Sequence, residues 1–403
     1  MDVCSVWLII CLLISSTVHA LGQISSTKAV LNWTTACLGQ AGVAMDRAFL
    51  RDSQAEYLEI YAKTLKATEK LRNLPVHFYR GYFGPWVENI FIERFMSKPP
   101  LYFFPLIPLF IQWTDYSRLV HRMKTDPALI RALNMSIDSR FPYLAVSQHD
   151  CGIHQFMKLF PNIIVMSAGG NGHVPIPLLK KVMSMPMDPE KRTIEVLFQG
   201  NIRNGPRQEL LNKFLRSGAQ VLQKAPGKLE DYAAVLAQSA FTFAPFGVGR
   251  TSFRMYEALQ SGSIPIYIYN DVPWLPYQSR LDWSEFAFVC SQSDVESAGW
   301  QVLKAVHNAT RLHAMQHAAR KWVQSHWTYD GVMQHIDYLF TDTDRSDLYC
   351  ERPPDQWCIY GLSIFEQENV AYKLADREAI KLNKTRLVQH AELDGRVTFG
   401  EAK

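Results

Sequence analysis

The chain has 403 residues, enough for two core-forming domains. Apolar residues make up 48% and charged residues 20%, which excludes an intrinsically disordered chain. A net charge of +4 over this length argues against a dedicated nucleic-acid binder and leaves room only for a local basic cleft.

The chain opens on an apolar run, Val3 to Ala20, that ends in Val18-His19-Ala20. The small residue at Ala20 suits a signal-peptidase site, and residues 1–20 are predicted to be a signal peptide. The run has no Lys or Arg ahead of it and carries Asp2, so a short uncleaved membrane anchor is the alternative. Its apolar part is shorter than the roughly 20 residues a spanning helix needs. Either reading sends the rest of the chain to the lumen of the endoplasmic reticulum or Golgi. Four Asn-X-Ser/Thr sites, Asn32, Asn134, Asn308 and Asn383, agree with that route. Of seven cysteines, Cys4 and Cys11 fall in the leader. Among the other five, Cys350 and Cys358 flank ERPPDQW and are the predicted disulfide, with at least one thiol left free. No C-x-x-C pair suggests a zinc or redox site.

Residues 42–72 read as amphipathic helix. Short apolar runs follow at 76–79, 101–110, 143–147 and 162–168, with helical patterns between them at Trp86 to Met96 and Tyr116 to Met123. That alternation predicts a parallel sheet with helices on its faces. The Pro- and Met-rich passage Val174 to Arg192 reads as a linker. A second alternation begins at TIEVLFQG (193–200) and continues through AQVLQK, FTFAP, IPIYIY (264–269) and FAFVC (286–290). Helical patterns run from Val295 to Val323 and from Asn369 to Ala391. The predicted organisation is a first α/β domain over 40–185, a second over 190–345 and a helical tail over 346–403.

Most of the chemistry gathers in FAPFGVGRTSFRMYEALQSGSIPIYI, Phe243 to Ile268. Gly247 and Gly249 allow a tight turn and close backbone approach to a ligand. Thr251 or Ser252 is placed to cap a helix that Gly262 stops. Met255, Tyr256 and Leu259 share the face expected to bury, and Arg254 and Glu257, three apart, share the other. A helix N-terminus after a glycine loop at a strand end is an anion site, so Ser252, Arg254 and the backbone are expected to meet a phosphate. Glu257 repels phosphate but suits sugar hydroxyls, as acidic residues do for ribose in dinucleotide folds. The plain alternative is an exposed i,i+3 ion pair beside glycines that merely turn the chain. Arg203 and Arg207 follow the strand TIEVLFQG and point toward the same crevice, or form a solvated basic loop. Asp271, after IPIYIYN, either closes the pocket or makes a plain turn.

This stretch resembles the exostosin family of glycosyltransferases. The resemblance runs through Phe241, Phe243, Pro245, Gly247, Ser252, Arg254, Glu257, Ala258, Gly262, Ile264 and Pro265, then Asp271, Leu275-Pro276-Tyr277 and Leu281-Asp282-Trp283-Ser284. Upstream, VLFQGNIRNGPRQELL, YLAVSQHDCG and YRGYFGPWVENIFIERF are similar to family segments, for a coverage of roughly 75–340. The resemblance implies a GT-B-like α/β fold, two Rossmann-like domains facing across a cleft. It implies transfer of a sugar from a nucleotide sugar, usually a UDP-sugar, with inversion, to a glycan or glycoprotein acceptor. It prefers Arg207 for the leaving diphosphate. Inverting transfer needs a general base, and Asp150, with His149 as its polarising partner or alternate, is the expected one. Glu88 and Asp115 are backups, each also readable as a capping or solvated carboxylate. Tyr82, Trp86, Trp113 and Trp274 are candidates for stacking on sugar rings, with core packing as the plain alternative. Helix-dipole and arginine stabilisation of the leaving group replace a metal, so no essential metal or cofactor is predicted. The rival reading is a catalytically inactive subunit that binds glycan or a partner transferase, in a homo- or hetero-oligomer.

Overall fold

The computed structural model describes residues 26–74, 84–119, 127–157, 159–180, 192–202, 206–224 and 229–351. The leader, the run at 76–79, Tyr82, Arg203, Cys358, Asn383 and the helix expected over Asn369 to Ala391 lie outside the described residues.

Helix α1 spans residues 26–40. The single helix expected over 42–72 is broken in two, α2 (Arg47–Asp52) and α3 (Gln54–Ala67), with Asp46 capping α2 through bonds from Ala48 N and Phe49 N. Then come α4 (Val87–Phe95), α5 (Trp113–Leu119), α6 (Pro127–Ser136) and the one-turn α7 (His154–Met157). Between them a parallel sheet forms in the order β1 (Ile107–Pro108), β2 (Tyr143–Ser147), β3 (Ile163–Ser167), β4 (Val174–Pro175). The strand expected over 101–110 shrinks to two residues. Pro100–Phe103 makes a 3-10 turn, and Pro105 and Pro108 have no N–H to give a ladder. The supposed linker also starts inside the sheet, since β4 pairs with Met166 and Ser167 and Ile176, Leu178 and Leu179 are buried.

The second half builds β5 (Ile194–Gln199), α8 (Arg207–Leu215), β6 (Val221–Lys224), α9 (Leu229–Ala237), β7 (Ser239–Pro245), α10 (Phe253–Ser261), β8 (Ile264–Tyr269) and β9 (Phe288–Ser291). All neighbours are parallel, in the order β6-β5-β7-β8-β9. The chain therefore winds one way from β5 to β6 and the other way from β7 to β9. Between the carboxyl ends of β5 and β7 lies the crevice where doubly wound sheets bind ligands. Both sheets are thus Rossmann-like parallel sheets flanked by helices, as the alternation predicted.

Helices α11 (Val295–Val306), α12 (Ala309–Lys321), α13 (Val323–His326) and α14 (Tyr329–Thr341) follow. The last returns to the first half. Tyr329 Oη donates to Pro85 O at 2.7 Å and Leu179 O at 3.1 Å, and Tyr102 Oη donates to Asp337 at 2.8 Å. All described residues belong to one compact unit, and the core of the first sheet continues through Tyr256, Leu259 and Trp327.

The predicted Cys350–Cys358 disulfide is corrected. Cys350 is bonded to Cys37, with Cα atoms 5.3 Å apart. The cause is tertiary: Trp33 Nε1 donates to Leu348 O at 2.8 Å and Gln40 Nε2 to Cys350 O at 3.1 Å, so α1 lies along the segment that carries Cys350. Cys151 is also disulfide-bonded, and Cys290 is free.

Candidate functional site

Strand β7 is buried along its whole length and delivers the chain to Phe246 and Gly247 at the crevice. Ser252 is the N-cap of α10, its hydroxyl accepting from Arg254 N at 3.3 Å, and Gly262 ends the helix at φ 70°. The expected two-faced helix is not what forms. Every residue from Met255 to Ser261 is buried, because α10 packs on β7 and β8 and touches α9 and α12 as well. Glu257 is only 2% exposed.

The Arg254–Glu257 pair exists, but not in solvent. Arg254 Nη1 bonds Glu257 Oε2, and Tyr232 Oη donates to the same oxygen at 3.0 Å. Lys180 Nζ stands 3.2 Å from Glu257 Oε1. Arg254 Nε donates to Gln199 O at 2.6 Å, and the guanidinium carbon lies 4.4 Å over the Tyr232 ring. Burial pushes the Glu257 pKa up, but Arg254, Lys180 and the hydrogen bonds override it and bring it down to about 2. Glu257 is therefore an anion embedded in cations. The exposed-pair alternative is corrected: the pair is buried, and Tyr232 and Lys180 join it.

Arg207 is the first residue of α8, at the end of the loop that leaves β5. Its Nε donates to Phe246 O at 3.2 Å and its Nη1 reaches Asn201 O at 3.4 Å. A Cβ at Gly247 would lie 2.6 Å from Arg207 Nη2, so this glycine lets the guanidinium lie against the backbone. Arg207 from α8 and Arg254 from α10 thus approach the strand-order reversal from its two sides.

A second group gathers at the carboxyl end of β2. His149 Nδ1 accepts from Cys151 N at 3.2 Å, which leaves Nε2 to donate to Ser117 Oγ at 2.8 Å. Asp150 meets the glycine loop of the second half: a Cβ on Gly249 would collide with Gly169 O and sit 3.2 Å from Asp150 Oδ1. The structure therefore brings Asp150 against the turn that leads to Ser252 and Arg254.

Arg250 makes this junction, and the sequence reading passed over it. It is 5% exposed, donates from Nη1 to Gly170 O at 2.9 Å and from its backbone N to Gly169 O at 3.2 Å, and pairs with Asp271 at 2.6 Å. Tyr267 Oη donates to Arg250 O at 2.6 Å. The Asp271 carboxylate holds Arg250, so this acid does more than turn the chain. The available signal was a second arginine one loop away from an acid at the next strand end.

The backup carboxylates are structural. Glu88 is fully buried, accepting from Thr114 N at 2.6 Å and Gln148 N at 2.9 Å, and burial raises its pKa to about 7. Asp115 accepts from Trp86 Nε1 at 2.7 Å and Asn89 Nδ2 at 3.2 Å. Trp86, Trp113 and Trp274 are core residues, Trp274 Nε1 donating to Ser167 O at 2.9 Å, so none presents a ring to a sugar. Asn32, Asn134 and Asn308 are exposed, as glycosylation would require.

Among the described residues, His326, His335 and Asp347 have the make-up of a metal site. His326 is already bonded to Ser325 Oγ at 2.7 Å and Asp347 Oδ2 at 2.9 Å, and its ring lies 4.6 Å from that of His335. Asp347 N donates to His335 Nδ1 at 3.2 Å. Burial, with His326 adding to it, lowers the His335 pKa to about 4. These contacts describe a hydrogen-bonded aromatic core. An Asp-x-Asp, the usual metal–nucleotide signature of the other major transferase fold, stands at Asp342-Thr343-Asp344, in the exposed turn after α14.

The Exostosin GT47 domain description matches residues 133–306, which includes β2, β3 and every strand of the second sheet. A probable glycosyltransferase of Arabidopsis thaliana is 24% identical over 251 residues, covering 55% of this chain and 53% of the relative. The exostosin-1 homolog of Caenorhabditis elegans is 37% identical over 109 residues, covering 27% of this chain and 26% of the relative. The chain thus spans about half of the first and about a quarter of the second. The crystal structure of Anabaena Alr3699/HepE in complex with UDP-glucose aligns over 69% of this chain and 94% of that one, at 10% identity and a TM-score of 0.38.

Proposed function

We propose that this chain, whose residues 133–306 match the Exostosin GT47 domain, is a glycosyltransferase of the exostosin type that moves a sugar from a nucleotide sugar, a UDP-sugar by preference, to a glycan acceptor. The observation that supports this most is the convergence of Arg207, Arg254 and the N-terminus of α10 on the point where strand order reverses between β5 and β7. Two guanidiniums and a helix dipole there suit a diphosphate, and they stabilise the charge that grows on UDP as the glycosidic bond breaks. Glu257, held ionised, is the acceptor for ribose hydroxyls.

On this reading transfer is inverting. Asp150 takes the proton from the acceptor hydroxyl as that oxygen attacks the anomeric carbon from the face opposite UDP. The acceptor is held on the first half, beyond the ends of β2 and β3. Residence in the lumen of the secretory pathway is part of the proposal, and the Cys37–Cys350 disulfide supports an oxidising compartment.

The test is UDP release from a panel of UDP-sugars by the purified chain, together with calorimetric titration of UDP. Turnover with one donor, lost in Arg254→Ala and Arg207→Ala, is the expected outcome. UDP binding without turnover on any donor or glycan acceptor would favour the inactive-subunit reading. A chain that binds no UDP would end the proposal.

A further inference from the structure

Glu257 has one negative charge and two cations against it. Arg254 bonds one carboxylate oxygen, and Lys180 Nζ lies 3.2 Å from the other. The helix alone would supply a self-neutralising pair with little attraction for an anion. With Lys180 added, these three groups together carry one positive charge, at the capped N-terminal turn of α10. We propose that Lys180, reaching in from the first half, is a positioning residue for the nucleotide diphosphate: it holds the Glu257 carboxylate so that the Arg254 guanidinium is available to phosphate. The inference rests on the nucleotide-sugar reading above and adds to it a residue outside the glycine-loop motif.

Lys180 is held in place by the fold. It follows β4 by five residues, behind the buried Ile176, Leu178 and Leu179. The carbonyl of Leu179 accepts from Tyr329 Oη at 3.1 Å and Gln148 Nε2 at 3.3 Å, which fixes the backbone just before the lysine. The side chain is only 11% exposed, and its Nζ lies 4.6 Å over the Phe253 ring. Burial lowers the pKa of this ammonium and Glu257 works to restore it. A lysine desolvated at a ligand crevice is expensive to keep. Its position is understandable if an anion comes to the same cluster.

The experiment compares the parent chain with Lys180→Met and Lys180→Arg, measuring UDP affinity by calorimetry and uridine binding by saturation-transfer NMR. Uridine has the base and ribose but no phosphate. The expected result is a loss of about tenfold or more in UDP affinity for K180M, the size of one charge-assisted hydrogen bond. Uridine binding should be unchanged, and K180R should recover most of the UDP affinity. K180M with parental UDP affinity overturns the inference. So does a parallel loss of UDP and uridine, which would mean a pocket that has simply come apart. A parent chain that binds neither ligand overturns the nucleotide reading itself and this inference with it.

Discussion

Replacing Glu257 by glutamine isolates the charge at the centre of the cluster. Glutamine copies the shape of the protonated acid, so the comparison reads what ionisation contributes. The pKa falls from 4.5 to about 2 in the folded chain, with Arg254 and Lys180 providing the main attraction. At about 1.4 kcal/mol per unit, the ionised form stabilises the fold by about 3 kcal/mol at pH 7. A depressed carboxylate contributes fully above its unfolded value and loses that contribution as pH falls toward the folded one. The gap between parent and Glu257→Gln should therefore be about 3 kcal/mol at neutral pH, about half that at pH 3, and nearly closed at pH 2. Urea unfolding followed by tryptophan fluorescence across that range measures it. Equal stability at pH 7 would show that the cations do not hold an ionised Glu257. A gap that stays constant down to pH 3 would assign the effect to packing instead of charge.

Cys37→Ser and Cys350→Ser should each cost about 2–5 kcal/mol, and the double variant no more than either, since all three lose the same crosslink; Cys358→Ser should leave that crosslink intact in non-reducing peptide mapping. Gly249→Ala drives a methyl into Gly169 O and should lower stability by about 1–3 kcal/mol in thermal unfolding. Gly247→Ala meets only the tip of the Arg207 side chain, so the fold should hold while UDP affinity drops in calorimetry. Asp150→Asn should retain UDP binding and lose about 100-fold or more in transfer rate; an unchanged rate would move the base to another residue.

The buried strands were legible because each is a short apolar run with a defined stop. YLAVS and NIIVMS stand almost residue for residue as β2 and β3, and IPIYIY is β8. The stretch at 101–110 misled because its apolar character suits a strand while its prolines refuse the ladder. The helix wheel found the right neighbours in α10 but assumed water on one side. Spacing along one helix says nothing about what the next element brings, and here it brings Lys180 and Tyr232. Pairings between distant segments were not legible for the same reason. Cys37 and Cys350 are 313 residues apart, and Arg250 finds Gly170 only because β3 and β7 end at the same junction.

Those distant pairings carry a consequence for the short segment from Gly249 to Glu257. Its start is fixed by the first half, through Gly169 O, Gly170 O and the Asp150 turn against Gly249 and Arg250. Its end is fixed by the first half as well, through Lys180 on Glu257. Between these two attachments lie Ser252 and Arg254, the residues proposed to meet the diphosphate. The helix N-terminus is thus held at both sides by residues outside its own sheet, and its placement depends on the loops after β2, β3 and β4. On the proposed reading, a substitution in the acceptor half that loosens either attachment, such as Gly170→Ala, where a Cβ would lie 2.6 Å from that of Arg250, weakens donor binding without touching the nucleotide. A donor site built wholly within the second sheet would be indifferent to that change, and UDP titration of the variant distinguishes the two.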